Sequence, residues 1–191
     1  MAADLVAARL NMVESQVRTN DVTDVRLHDA MRAIPREDFV PAGKAYLAYA
    51  DASVEYADGR YLLRPRDVSK LLQAVKPKAG EKTLAIAAPY AAAVLERLGL
   101  AVERLDEGDL TSLPGKDYDL IVVEGAVARA PDAWLAALSA TGRLAVIERD
   151  GPVGKAVLYV RGEDGATGRR DLFDATPPVL AGFEAQHGFA F

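Results

Sequence analysis

The chain has 191 residues, half of them hydrophobic and 27% charged, a composition that predicts a globular domain and argues against disorder. Its net charge of −5 disfavours a nucleic-acid partner, because phosphate binding needs a basic surface. The sequence holds no cysteine and only His28 and His187, so we expect neither disulfides nor a metal site, although a carboxylate-only site stays open. No apolar run reaches about 18 residues and no apolar leader block is present, so we expect no membrane partner and a cytoplasmic location.

The first part of the chain has a helical pattern. Apolar side chains recur at three- and four-residue steps between positions 5 and 17, which predicts a first helix. Thr23 or Asp24 can cap a second helix, which Pro35 ends.

An irregular segment and a third helix are predicted next. Residues 36–61 show no sustained period and indicate ordered but irregular structure. Pro65 suits the first turn of a helix, since proline lacks an N–H that this position leaves unbonded anyway. The buried face of this helix is predicted to be apolar and to consist of Val68, Leu71, Leu72 and Val75.

From residue 78 onwards, predicted strands alternate with helices. The strands are predicted over 83–87, 100–105, 119–124 and 143–147, and the helices over 91–98 and 131–138. An antiparallel hairpin over 155–161 and 169–173 is predicted to follow. Alternating strands and helices indicate an α/β fold with a mainly parallel sheet. We therefore expect a single domain over 1–191, with a helical and irregular cap over 1–77 and an α/β core over 78–191.

One crossover is too short for a complete sheet of this kind. Only about a dozen residues separate Leu105 from Asp119, which is the lower limit for a crossover with its helix. The segment contains Gly108, Pro114 and Gly115, which are typical of loops. We predict that one edge strand and its helices are missing. Strand 100–105 then lies at an open edge that favours pairing with another chain.

Several segments along the chain carry a resemblance to a known family. They are residues 12–18, 29–41, 48–51, 118–126, 138–146, 172–175 and 180–183. The element Pro-Arg-Glu-x-Phe-Val-Pro over 35–41 is the most specific of them. Together these segments resemble the bacterial protein-L-isoaspartate O-methyltransferase family. The resemblance implies a Rossmann-like, S-adenosylmethionine-dependent methyltransferase fold. It also implies methylation of the α-carboxylate of isoaspartyl residues in proteins, a reaction that depends mainly on positioning the two reactants.

The chain departs from the family pattern at the loop after the first core strand. The resemblance places an acid at the end of that strand and a Gly-x-Gly-x-Gly loop behind it. Those positions hold Ala85, Ala87, Ala88 and Pro89, with about two residues missing before Tyr90. Alanine does not easily adopt the positive φ of such glycines, and proline lacks an N–H that could face a ligand. We therefore expect no bound cofactor; a divergent loop that still binds S-adenosylmethionine is the alternative.

The expected catalytic position also differs. By resemblance, Leu63 stands where the family has an active-site serine, so we expect it to pack in the core and predict no catalytic residue. If donor binding survives, Asp106, or less favourably Glu103, would hold the ribose, and Asp109 would lie near the adenine amine. Otherwise these three are solvated loop carboxylates. His28 is expected at a helix surface rather than as a base.

Three functions fit this pattern. The leading one is a non-catalytic family member retained for binding, scaffolding or regulation. The second is an active methyltransferase with a remodelled site, acting on isoaspartyl or other carboxylates. In the third, the small side chains at 87–93 leave an apolar cavity for another small ligand instead of letting the helix close on the strand.

Tyrosines and arginines cluster in one part of the cap and suggest a contact surface, because both are enriched at protein interfaces. They are Tyr46, Tyr49, Tyr56, Tyr61, Arg60 and Arg64. A protein partner or a homodimer is expected there or at the open edge of strand 100–105. A solvated cluster without a partner is the alternative.

Overall fold

The computed structural model describes residues 4–185, so His187 and the end of the chain lie outside the described residues. The first elements are helix α1 (Leu5–Met12), a π-helical turn (Val13–Val17), a 3₁₀ turn (Arg18–Asn20) and helix α2 (Val25–Ala33). Asp24 is the cap of α2, and its carboxylate accepts a hydrogen bond from the Arg26 N–H at 3.0 Å. Both predicted helices are therefore present.

The irregular segment contains more order than predicted. After two 3₁₀ turns, it forms a small antiparallel hairpin that the sequence analysis missed, β1 (Val54–Ala57) with β2 (Arg60–Leu62). Strands of three and four residues are too short to show an alternating pattern. Gly59 makes the turn with φ +64°, a conformation that glycine adopts at little cost. Helix α3 (Pro65–Val75) then starts at the predicted proline.

The core contains the predicted alternation of strands and helices. Its elements are β3 (Lys82–Ile86), α4 (Pro89–Arg97), β4 (Ala101–Leu105), β5 (Tyr118–Val127), α5 (Asp132–Ala136), β6 (Leu138–Glu148), β7 (Gly154–Arg161) and β8 (Thr167–Ala175). Across the described residues, the sheet order is β4-β3-β5-β6-β7-β8. The pairs from β4 to β6 are parallel, and the pairs β6–β7 and β7–β8 are antiparallel. The predicted α/β fold with its terminal hairpin is confirmed.

The predicted loss of an edge strand is also confirmed. Residues 106–117, all within the described range, form neither helix nor strand, and β4 is the edge of the sheet. This loop covers one face of the sheet in place of a crossover helix. Its Leu110 is buried, and the Leu110 carbonyl accepts a hydrogen bond from the Trp134 indole N–H at 2.8 Å. Helix α5 is shorter than predicted, because Leu138 already belongs to β6.

The sheet separates two hydrophobic layers. Leu120, Val122 and Ala145 face the layer shared with α2, α3 and α4, whereas Ile121 and Val146 face the layer under loop 106–117 and α5. The N-terminal cap thus packs on one face of the core, as predicted. None of the helices within residues 4–185 is long and apolar enough to span a bilayer.

One prediction about α2 was wrong. His28 is buried, and its Nε2 lies 2.8 Å from the Val22 carbonyl oxygen. The helical repeat explains this position, because residue 28 lies next to Leu27 and one turn before Met31 on the inward face. The histidine is therefore held against the backbone of the segment before α2.

Candidate functional site

The loop after β3 keeps the shape of a glycine turn without glycine. Ala87 has φ +47°, a left-handed conformation that costs an alanine about 1 kcal/mol or more. Its N–H donates to the Leu105 carbonyl at 2.9 Å, which ties the loop to the end of β4. Helix α4 then begins directly at Pro89, which occupies its first turn. The carboxyl ends of parallel strands, where this loop lies, are the usual ligand site in an open α/β sheet.

Asp106 closes this loop. Its Oδ1 accepts a hydrogen bond from the Ala88 N–H at 3.1 Å. Burial raises the pKa of the Asp106 carboxyl, while the hydrogen bond from Ala88 acts in the opposite direction. The acid that could hold a ribose is therefore bonded to the loop backbone of its own chain.

Most residues of the loop are buried in this arrangement. Ala85, Ala87, Ala88 and Tyr90 are fully buried, whereas Pro89 is partly exposed. A methyl donor would need backbone N–H groups and an acid that are accessible at this turn. The side chains present do not fit such a group, since Ala85 has no carboxylate and Asp106 already has a backbone partner.

A buried charged cluster lies beside the loop. We name Arg36, Tyr56, Tyr90 and Glu124 the Arg36–Glu124 cluster. The Arg36 side chain is fully buried, its Nε donates to the Ala48 carbonyl at 2.8 Å, and its guanidinium lies 4.7 Å from the centre of the Tyr90 ring. Burial lowers the pKa of the Arg36 guanidinium, and the nearby Glu124 carboxylate opposes that effect.

Glu124 is the unusual member of this cluster. It lies within β5 and is 1% exposed, and neither carboxylate oxygen has a hydrogen-bond partner among the described residues. Burial raises the pKa of Glu124 to about 7. The nearby Arg36 guanidinium and the backbone N–H groups of Ala91 and Leu63 oppose this rise. Ala91 lies in the first turn of α4, so Glu124 brings a carboxylate to the helix end where cofactors of this fold place their own acceptors.

The structure separates the other candidate residues. Leu63 is fully buried in the core, and its carbonyl accepts a hydrogen bond from Arg36. Asp109 accepts from the Thr111 N–H at 2.8 Å and the Thr111 hydroxyl at 2.7 Å, which lower the pKa of its exposed carboxyl. Glu103 accepts from the Tyr118 hydroxyl instead of facing the loop. Of the candidate residues within 4–185, only Asp106 has a side chain that hydrogen-bonds to the loop backbone.

The tyrosines of the cap have different environments. Tyr46 is 71% exposed, but Tyr49 is buried and donates its hydroxyl to Glu37, so Tyr49 is not part of a contact surface. The Tyr56 hydroxyl is buried in the Arg36–Glu124 cluster without a hydrogen-bond partner among the described residues. Arg64 forms an ion pair with buried Asp67 at 2.9 Å and orders the start of α3. The predicted surface is therefore reduced to its exposed members.

Sequence reasoning missed the Arg36–Glu124 cluster. One signal was available, because Glu124 ends a run of apolar residues in a strand that is buried on both faces. An acid at such a position must find a partner or change its pKa. Arg36 lies in the Pro-Arg-Glu-x-Phe-Val-Pro element, but its burial depends on how the cap docks on the sheet.

The sheet order and the flanking helices define a Rossmann-like methyltransferase fold. Residues 8–105 match the family described as Protein-L-isoaspartate(D-aspartate) O-methyltransferase. The protein-L-isoaspartate O-methyltransferase of Methylorubrum extorquens (strain PA1) is 32% identical, covering 84% of this chain and 83% of that protein. The enzyme of the same name from Methylorubrum populi is 34% identical, covering 80% of this chain and 84% of that protein. The chain therefore belongs to the protein-L-isoaspartate O-methyltransferase family.

Solved structures support the same fold. A protein-L-isoaspartate O-methyltransferase superposes with a TM-score of 0.70 at 19% identity, covering 91% of this chain and 66% of that one. A Plasmodium falciparum structure, described as a beta-aspartate methyltransferase in complex with S-adenosyl-L-homocysteine, gives a TM-score of 0.68 at 14% identity. It covers 90% of this chain and 97% of that one. At these identities the superpositions establish the fold alone.

Proposed function

We propose that this chain is a protein-L-isoaspartate O-methyltransferase family member that has lost donor binding and methyl transfer and acts as a binding, scaffolding or regulatory protein. One observation carries the proposal: the loop after β3 is closed by the hydrogen bond from the Ala88 N–H to Asp106. The burial of Ala87 and Ala88 supports it, because donor binding at these residues would have to break that bond and separate packed side chains.

The chemistry of methyl transfer strengthens the argument. The reaction brings a carboxylate in line with an electrophilic methyl group, so catalysis rests on holding both reactants. Leu63, fully buried at the position of the family serine, offers no hydroxyl to position a substrate. A chain that does not hold the donor retains little of the rate enhancement, and we expect no cofactor.

A second function has one observation in its favour. Several buried polar atoms of the Arg36–Glu124 cluster lack hydrogen-bond partners among the described residues: Arg36 Nη1, the Tyr56 and Tyr90 hydroxyl oxygens, and both Glu124 oxygens. Each such group costs about 1–3 kcal/mol, which an incoming ligand could recover. An active S-adenosylmethionine-dependent carboxyl methyltransferase with a remodelled, opening site would account for them.

Calorimetry with S-adenosylmethionine and S-adenosylhomocysteine separates the two functions. The loss of function predicts no saturable binding up to about 1 mM of either compound, a dissociation constant that corresponds to about −4 kcal/mol. The Methylorubrum extorquens relative, measured under the same conditions, serves as the positive control. Micromolar binding, or transfer of labelled methyl to an isoaspartyl peptide, contradicts the proposal and supports the active enzyme.

Binding of a protein partner or of a second copy of the chain is also part of this proposal. The exposed candidates of the cap, Tyr46 with the partly exposed Tyr61 and Arg60, and the open edge of β4 are the surfaces that favour a protein partner or a homodimer. A light-scattering measurement that shows only a monomer would exclude the homodimer. A cytoplasmic location in a bacterium belongs to the same proposal, since the resemblance is to bacterial members.

A further inference from the structure

A second cleft lies away from the family site, beside the C-terminus of α3. It has a volume of about 400 Å³ and lies against the early residues of β5, the first half of β6 and the β7–β8 pair. Its polar and charged lining comprises Lys76, Lys78, Glu81, Asp119, Thr141, Arg143 and Arg170. The closed loop follows the opposite, carboxyl end of β3, so the two sites are separate.

The two carboxylates of the cleft are already bonded. Glu81 accepts both branches of the Arg143 guanidinium, at 3.0 and 2.8 Å, and the Lys78 N–H at 2.9 Å. Asp119 accepts from the Lys82 N–H at 3.0 Å and from the Ser139 hydroxyl at 3.1 Å. These carboxylates are therefore hydrogen-bonded to groups other than the side chains of Lys76, Lys78 and Arg170.

Three of the four cations have no such partner. The side chains of Lys76, Lys78 and Arg170 form no hydrogen bond or ion pair with any group in residues 4–185. Four cations against two carboxylates leave the cleft with a formal charge of +2, on a chain whose net charge is −5. Such a concentration of charge favours an anionic ligand.

We propose that this cleft binds a phosphorylated small molecule, with the phosphate groups between Arg170 and the two lysines. Guanidinium and ammonium groups are the usual phosphate partners, and the Thr141 hydroxyl adds a further donor. The walls of Val75 and Leu158 would contact the organic part. The volume lies within the range of small-molecule sites. This proposal does not depend on the fate of the methyl donor.

Calorimetry with inorganic pyrophosphate at constant ionic strength tests the site. We expect saturable binding that weakens about tenfold in Arg170→Gln and in Lys78→Gln, the loss typical of a hydrogen bond to a charged group. Arg97→Gln, which removes an exposed arginine on α4, is the matched control and should bind as the wild type does. S-adenosylmethionine should leave the pyrophosphate affinity unchanged whether or not it binds.

Three outcomes would overturn the proposal. The first is no saturable binding up to about 10 mM pyrophosphate, a dissociation constant that corresponds to a binding free energy of about −3 kcal/mol. The second is an equal loss of affinity in Arg97→Gln, which would indicate attraction by overall charge. The third is binding of polyglutamate but not of pyrophosphate, which would assign the cleft to an acidic polypeptide.

Discussion

Replacing Glu124 by glutamine tests the Arg36–Glu124 cluster most directly. Because burial raises the pKa of Glu124 from 4.5 to about 7 in the folded state, the folded chain binds this proton more tightly than the unfolded chain does. The stabilisation is fully present below about pH 4.5 and is lost as the pH rises through about 7. The difference between the two pKa values corresponds to about 3 kcal/mol. Glutamine keeps the shape of the side chain but carries no proton that can be lost.

Urea unfolding of the wild type and Glu124→Gln between pH 4.5 and 8 provides the measurement. The free energy of unfolding of the variant, relative to the wild type, should increase by about 3 kcal/mol across this range. Titration of the other groups cancels in that difference. Glu107→Gln, the same substitution in the exposed loop, is the control. A constant difference between Glu124→Gln and the wild type at all pH values would refute the assignment of a buried, poorly bonded carboxylate.

Two further substitutions test the closed loop. Ala87→Gly relieves the strain of the positive φ but loses a buried methyl group, whereas Ala92→Gly, in the interior of α4, loses a methyl group without relieving strain. In urea titrations, the free energy of unfolding of Ala87→Gly should therefore exceed that of Ala92→Gly by about 1 kcal/mol or more. Equal losses in both variants would contradict the left-handed conformation. Asp106→Ala leaves the Ala88 N–H without its partner and should lower the free energy of unfolding by about 1–3 kcal/mol. Asp109→Ala, which breaks only an exposed turn, should cost less, and the reverse order would show that Asp106 does not hold the loop.

The sequence predicted features that depend on local chemistry. Pro65 marks the start of α3, and the short, glycine- and proline-containing segment after Leu105 reveals the missing strand. The β1–β2 hairpin escaped detection because its strands are shorter than a recognisable alternation. The early end of α5 was also missed, since the apolar Leu138 serves a strand as well as a helix.

The chemistry of the candidate site was predicted less well than its position. Alanines at 85, 87 and 88 indicated an altered loop, but the bond between Ala88 and Asp106 depends on how two strand ends meet. Burial of Arg36 and Glu124 arises only when the cap docks on the sheet, and no local pattern encodes that event. Long-range pairing of this kind explains why the fold was easier to predict than the site.

The burial of Arg36 also has a consequence for how the cap is held together. Its guanidinium donates to carbonyls of Ala48 and Leu63, so one side chain joins the irregular segment of the cap to the chain just before α3. The side chain therefore ties two segments of the cap together from the inside, and removing it would leave both carbonyls without this donor.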